Sequence, residues 1–136
     1  RKKTRELDIE DHVIFTGFRD DIESLMKEFD IFCLPSLSEG LSSAILVAMA
    51  SSLPVVATRV GGIPELVVDG ESGVLVPAND ARQLAAALGQ VLESQSLRRR
   101  LGQAGRRRVE QKFTLQRKLD ETEQLYLSLL ASDGIR

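Results

Sequence analysis

Scarcities define this chain first. It has one cysteine, Cys33, so no disulfide can form within it and nothing in its thiol content points to an oxidising compartment. It has one histidine, His12, and no tryptophan. One histidine and one cysteine cannot furnish a zinc site of the usual ligand types. The longest unbroken apolar run, Ala44 to Ala50, is far too short to cross a bilayer, and no signal peptide is visible. Neither sign of charge dominates: the net charge is −2, which argues against a nucleic-acid partner. What remains is an ordinary soluble composition, 43% apolar and 28% charged, over 136 residues. That is enough for one domain with a real core.

The chain does not begin with methionine, and "RKKTRELDIE" reads like the tail of a helix, so its start is expected to lie upstream. "HVIFTGF" is rich in β-branched and aromatic residues and reads as a strand. In "RDDIESLMKEF", Asp20 and Glu23 have capping-box spacing, and Ile22, Leu25, Met26 and Phe29 recur at helical intervals. "DIFCLPS", "LPVVATRV" and "GVLVP" read as three further strands, separated by a helix over 42–51 and a short one in "GGIPELV". From residue 79 the pattern is helical only. Asn79 or Asp80, Ser96 and Thr114 are the expected caps, and the apolar stripe of the last helix is expected to pack in a core. "SDGIR" reads as a frayed end.

Strand and helix alternate four times, which argues for βαβ units. The expected fold is α/β: a partial Rossmann-like parallel sheet of about four strands with helices on both faces, then an all-helical tail over about 80–131. Residues 1–136 form a single, partial domain on this reading. Continuous apolar strands such as "LPVVAT" agree with burial on both sides, and the apolar helix 42–51 is expected to lie between layers.

Ligands of open parallel sheets bind beyond the carboxyl ends of the strands. The stretch Glu39–Ser43 falls there. Gly40 lets a ligand approach the backbone, a helix start offers free N–H groups and a partial positive charge, Ser42 and Ser43 add hydroxyls, and Glu39 can accept from sugar hydroxyls. This suits a phosphate beside a polyol. A plain capped loop with Glu39 near the helix dipole accounts for the same residues, and both readings stay open. Gly61 and Gly62, in "RVGGIPE", would free a second helix start to face a phosphate, but their spacing favours a tight turn needing positive φ. Cys33 reads as an inert core residue, and His12 as a surface residue in a turn. Residues 81–118 hold ten basic and two acidic groups, a charge of +8 against −10 elsewhere. "LRRRLGQAGRRR" reads as a solvated face, with a phospholipid surface as the alternative, since three consecutive arginines point about 100° apart and no aromatics interleave to stack bases.

The stretch "LPSLSEGLSSAILVAMASSLPVVATRVGGIPELVVDGESGVLVPAND", with "VIFTGF" before it, resembles the C-terminal domain of retaining glycosyltransferases of the two-Rossmann (GT-B) fold. These are the group 1 transferases, family 4 of the carbohydrate-enzyme classification, and the likeness runs over about residues 7–130. It implies a hexosyltransferase-type enzyme that moves a sugar from a nucleotide-diphosphate donor to a saccharide or lipid-linked acceptor, with retention and without a metal or other cofactor. Glu39 matches a donor-sugar ligand. Gly40, Leu41 and Ser42 match the loop touching sugar and diphosphate, with Ser43 beside them. Gly17 and Phe18 match a loop near the base. A second glutamate that holds the ribose falls on position 47, where this chain has Val47. Ser52 stands where the family usually has glycine.

The resemblance also implies that an N-terminal Rossmann domain and two βα units of this domain are absent, so that the chain alone is inactive. The two strands between "HVIFTGF" and "DIFCLPS" would then be missing, leaving either a gap or direct pairing of those two segments. The implied location is cytoplasmic, with peripheral contact at the inner membrane face admitted. The alternatives are a noncatalytic remnant or interaction module of the same fold, or another nucleotide-sugar enzyme such as a 2-epimerase.

Overall fold

The computed structural model describes residues 1–132. Three short parallel strands form the sheet: β1 (Phe32–Leu34), β2 (Val55–Thr58) and β3 (Val74–Val76), in the order β1-β2-β3. Phe32 stands opposite Val55, and Val56 opposite Val74. Each parallel pairing needs a crossover, and helices supply both: α3 (Ser43–Ala50) before β2, and α4 (Ile63–Leu66) before β3. After β3 come α5 (Ala81–Glu93), α6 (Gln95–Lys112) and α7 (Leu115–Ser132). Ahead of the sheet lie only α1 (Lys2–Glu6) and α2 (Ile22–Leu25) with two single 3-10 turns.

The central strand explains the layering. All four residues of β2 are buried, and the three apolar ones alternate between two cores. Val55 and Ala57 join Ile45, Met49, Ile63 and Leu66 on one face. Val56 joins Val76, Ala87, Val91 and Leu101 on the other. This confirms the continuous apolar strand with helices on both faces.

Among the described residues the sheet has three strands rather than four. "HVIFTGF" forms no strand: residues 13–17 carry no ladder, Ile14 is 88% exposed and Phe18 97%. A strand exists through its neighbour's hydrogen bonds, and among the described residues this segment has side chains of α1 beside it but no strand to pair with. It does not pair with β1 either, so among the described residues the outer edge of β1 is open. Of the two expected outcomes, a gap or direct pairing, the structure takes the gap.

The helix caps divide. Asp80 accepts from the Gln83 amide at 2.9 Å and Thr114 from the Arg117 amide at 3.3 Å, as expected. At α6 the cap is Ser94, not Ser96: its hydroxyl accepts from the Leu97 amide at 3.2 Å. The Asp20–Glu23 capping box does not form. Asp21 precedes α2, and its carboxylate turns to the Arg19 guanidinium instead. Helix α3 buries Ile45, Ala48 and Met49 between the sheet and α6, as expected, although Ala44 and Ala50 are exposed. One packing expectation changes. The leucines of α7 are bare, Leu115 being 72% and Leu130 60% exposed, because no other described element covers that stripe. The "SDGIR" end lies, after Ser132, outside the described residues.

Ser52 turns the chain from α3 into β2 with φ 61°. Its amide reaches the Met49 carbonyl at 3.0 Å, and the Leu53 amide reaches Ala48 at 3.0 Å, closing the helix. Helix α6 crosses so close that a Cβ on Gly102 would stand 2.0 Å from the Ser52 carbonyl oxygen. A side chain in the left-handed region is disfavoured by about 1–2 kcal/mol, partly offset by glycine's larger loss of freedom on folding. Ser52→Gly should therefore stabilise the chain by about 0.5–1 kcal/mol, read as a higher urea midpoint at unchanged slope. Gly102→Ala should lower the midpoint.

Candidate functional site

The carboxyl ends of all three strands point the same way, so the loops after Leu34, Thr58 and Val76 gather at one edge. Thr58, the last residue of β2, is 3% exposed. Its hydroxyl donates to the Ser36 carbonyl at 2.6 Å, drawing the loop after β1 over the end of β2. Ser36 in turn donates its own hydroxyl to Oε2 of Glu39 at 3.2 Å. The Gly62 amide donates to the Glu39 carbonyl at 3.3 Å.

These bonds press two stretches of backbone together. A Cβ on Gly61 would lie 1.8 Å from the Glu39 carbonyl oxygen, and one on Gly62 would lie 2.8 Å from that of Gly40. Gly61 has φ 49°, so the expected positive-φ turn is present there. Gly62 has φ −81° and is required by the approach alone.

Glu39 itself is half-buried. Among the described residues its carboxylate has no cationic partner, and the Ser36 hydroxyl is its one hydrogen bond. Gly40 is exposed, and a Cβ there would meet nothing within 4 Å. Leu41 is 63% exposed, while Ser42 is buried at 6%. Ser42 is the N-cap residue of α3, yet its hydroxyl makes no cap bond, and no acid lies in the first turn. The start of α3 thus keeps its amides uncapped by side chains, beside Ser43, which is exposed. Such an end carries roughly half a positive charge. Helices α5, α6 and α7 are capped by Asp80, Ser94 and Thr114, whereas the short α1, α2 and α4 share with α3 the lack of a side-chain cap.

The structure brings Glu39, Gly40, Leu41, Ser42 and Ser43 together with Gly61 and Gly62. It does not bring in the remaining candidates. Val47 is half-buried and packs against the core that holds Ile45 and Met49. Gly17 and Phe18 lie in the exposed segment before α2, Gly17 with φ 66°. His12 is exposed in a 3-10 turn. Cys33 is half-buried on β1, and loss of water raises its thiol pKa. Among the described residues no group of three or more His, Cys, Asp or Glu could hold a metal ion, and no helix is long and apolar enough to cross a membrane.

Two positioning residues were missed in the sequence, Ser36 and Thr58. A threonine closing an otherwise apolar strand was the available signal. Arg59, next in the chain, pairs with Asp69 at 2.5 Å, and that carboxylate also accepts the Leu75 amide at 2.9 Å. This ties the loop after β2 to the turn before β3.

A parallel α/β unit whose strand ends gather an acid, close-packed glycines and an open helix start belongs to the Rossmann-like class. The sequence profile of the family "Glycosyl transferases group 1" matches residues 1–108, and the chain belongs to that family. It is 40% identical over 133 residues to MMP alpha-(1->4)-mannosyltransferase of Mycolicibacterium hassiacum, covering 96% of this chain and 32% of that protein. The chain spans about a third of the length of the curated relatives it matches first. Among solved structures, sucrose-phosphate synthase from Thermosynechococcus elongatus superposes with a TM-score of 0.88 at 32% identity, over 96% of this chain and 33% of that one. Anabaena Alr3699/HepE, solved in complex with UDP, gives 0.85 at 27% identity, over 96% and 35%. The fold is that of GT-B C-terminal domains.

Removing the clamp should loosen the site before it unfolds the domain. Thr58→Val keeps the shape and deletes the hydroxyl, at about 1–2 kcal/mol. The Gly62 amide should then exchange with deuterium faster, while the β2 amides keep most of their protection. Gly61→Ala should cost about 2 kcal/mol or more, from overlap and the left-handed backbone together.

Proposed function

We propose that residues 1–136 are a single, partial C-terminal domain that binds a nucleotide-diphosphate sugar for retaining transfer to a saccharide or lipid-linked acceptor. The observation that carries this reading is the uncapped start of α3 beside Glu39 and Gly40. A carboxylate with no cationic partner, held by the Ser36 hydroxyl alone, and a row of amides without side-chain caps suit a ligand that is polyol at one end and anion at the other. Gly40 adds to this: its bare face lies open, and it has no left-handed φ, so neither packing nor a turn within this chain calls for glycine there. Glu39 accepts from hydroxyls of the donor sugar. The amides at 40–43 hold the diphosphate, with Leu41, Ser42 and Ser43 lining the approach.

The helix dipole would supply charge stabilisation that other enzymes draw from a metal, so no metal or cofactor is part of the reading. Solved relatives bound to UDP and UDP-glucose support the ligand class. Transfer would need the remaining two thirds of a full-length relative, including an N-terminal Rossmann domain, and the cytoplasm is the compartment where such donors would be met.

A second reading, a noncatalytic remnant or interaction module, draws on one observation: Val47 offers no acceptor and is packed into the core. Titration of the isotopically labelled chain with UDP-glucose and GDP-mannose separates the two. Under the first reading the amide shifts cluster at residues 39–43, and Glu39→Gln weakens binding about ten- to a hundredfold, the value of a hydrogen bond to a charged acceptor. Shifts scattered over the surface, or unchanged affinity in the variant, would favour the second.

A further inference from the structure

The two arginine triplets of α6 begin eight residues apart, and their six side chains divide between inside and outside. Arg98 and Arg108 are half-buried and turn inward. Arg98 donates to the Val91 carbonyl at 3.1 Å and to that of Leu92, closing the end of α5. Arg108 donates to the Glu65 and Leu66 carbonyls, each at 2.7 Å, closing α4. The other four, Arg99, Arg100, Arg106 and Arg107, are exposed.

Three consecutive arginines share no face, but these four do. Arg99 with Arg106, and Arg100 with Arg107, are each seven residues apart, which places them two turns apart and about 10 Å along the axis. The result is two adjacent rows on the outer side of one helix. Their own partners are few. Arg100 gives one hydrogen bond to the Gly70 carbonyl at 3.2 Å, and Arg106 pairs with Glu110 at 2.8 Å, both side chains 57% exposed. Arg99 and Arg107 have neither a hydrogen bond nor an ion pair among the described residues. The nearby acids are Glu110 on the same helix, Glu71 at the rim of the groove beside Arg107, and Asp30, which with Phe29 lines the groove beside Arg99.

The helix bearing them is fixed. Gly102 and Gly105 are buried, and Leu101 is fully enclosed, so α6 seats its inner side deep in the domain and presents the arginines on a rigid rod.

We infer that the outward arginines of α6 form a docking face for a bilayer rich in anionic phospholipid. Charge complementarity commits the occupant. The chain as a whole is slightly acidic, with residues outside 81–118 at −10, so a polyanion that wrapped the domain would meet repulsion. A bilayer is flat and touches one side only. No aromatic residue interleaves with the four arginines to stack on bases. A sequence pI near 5.5 is also far from that of a nucleic-acid-binding domain. The face is independent of the donor site, so loss of either leaves the other testable.

The test is co-sedimentation of the full chain with phosphatidylcholine vesicles, pure or with about 30 mol% phosphatidylglycerol. Binding is expected on the anionic vesicles alone and should be released by about 0.5 M salt, where screening is complete within a few ångströms. An arginine at such a surface strengthens attachment about fivefold. The variant Arg99→Gln/Arg100→Gln/Arg106→Gln/Arg107→Gln should therefore bind at least about tenfold more weakly. Arg99→Gln/Arg107→Gln, which disturbs no bond in the fold, should show part of that loss with an unchanged circular dichroism spectrum. Arg82→Gln, on α5, should bind like the parent. Equal binding to both vesicles, unaltered binding by both arginine variants, or tighter binding to duplex DNA than to anionic vesicles at equal phosphate would each overturn the inference.

Discussion

The structure depends on one backbone-to-backbone contact, where the loop after β1 lies directly on the loop after β2. Nothing larger than hydrogen fits at Gly61, because the Glu39 carbonyl oxygen occupies the place a side chain would take. Hydrogen bonds then close the contact from both sides, Gly62 to Glu39 through the backbone and Thr58 to Ser36 through a buried hydroxyl. Buried hydrogen-bonding groups are costly to leave unmatched, so the two loops are placed as a pair. The position of Glu39 is therefore a property of the sheet's edge and not of the loop that carries it.

That coupling explains why so small a sheet can hold a site. Three strands of three or four residues would be marginal alone. Here β2 is buried on both faces, and α6 reaches back to brace the chain from below. Gly102 sits on the Ser52 carbonyl, and the Arg108 guanidinium holds the carbonyls at the end of α4, lying also 5.8 Å from the Phe113 ring. Arginine 108 thus links the helical tail to the short helix that begins at the site's second loop. The tail is part of what keeps the site in register.

Much of this was legible in the residues. The alternation of apolar strands and capped helices specified the parallel sheet, because burial on both sides demands continuous apolar strands and crossovers demand helices. Glu39 to Ser43 could be placed at the sheet's carboxyl edge for the same reason. The failures share a cause. "HVIFTGF" has strand composition, but a strand is a relation between segments, and composition does not supply the partner. The leucines of α7 have helical spacing, but spacing does not say whether a neighbour exists to cover them. The Ser36–Thr58 link joins residues 22 apart through a hydroxyl and a carbonyl, and no periodicity encodes that. The arginines read as a solvated face, and four of the six are exposed; the offset between the triplets, present in the sequence, decides which of them share a side of the helix.

Position 47 bears on the donor site through the same logic of neighbours. Helix α3 has no charged side chain, and its buried residues Ile45, Ala48 and Met49 fix which way it faces. Val47 falls beside that buried side and adds to the core, so its side chain is committed before any ligand arrives. A glutamate there would either lose water against apolar neighbours, which is costly without a partner, or turn outward along the helix. Valine removes that conflict and adds packing. On the proposed reading, binding would then concentrate at the first turn of α3, where the amides are uncapped and Glu39 is held from behind. Discrimination would shift with it, toward the sugar and its phosphates and away from the ribose, since the one carboxylate beside the start of the helix is the one the two loops hold in place.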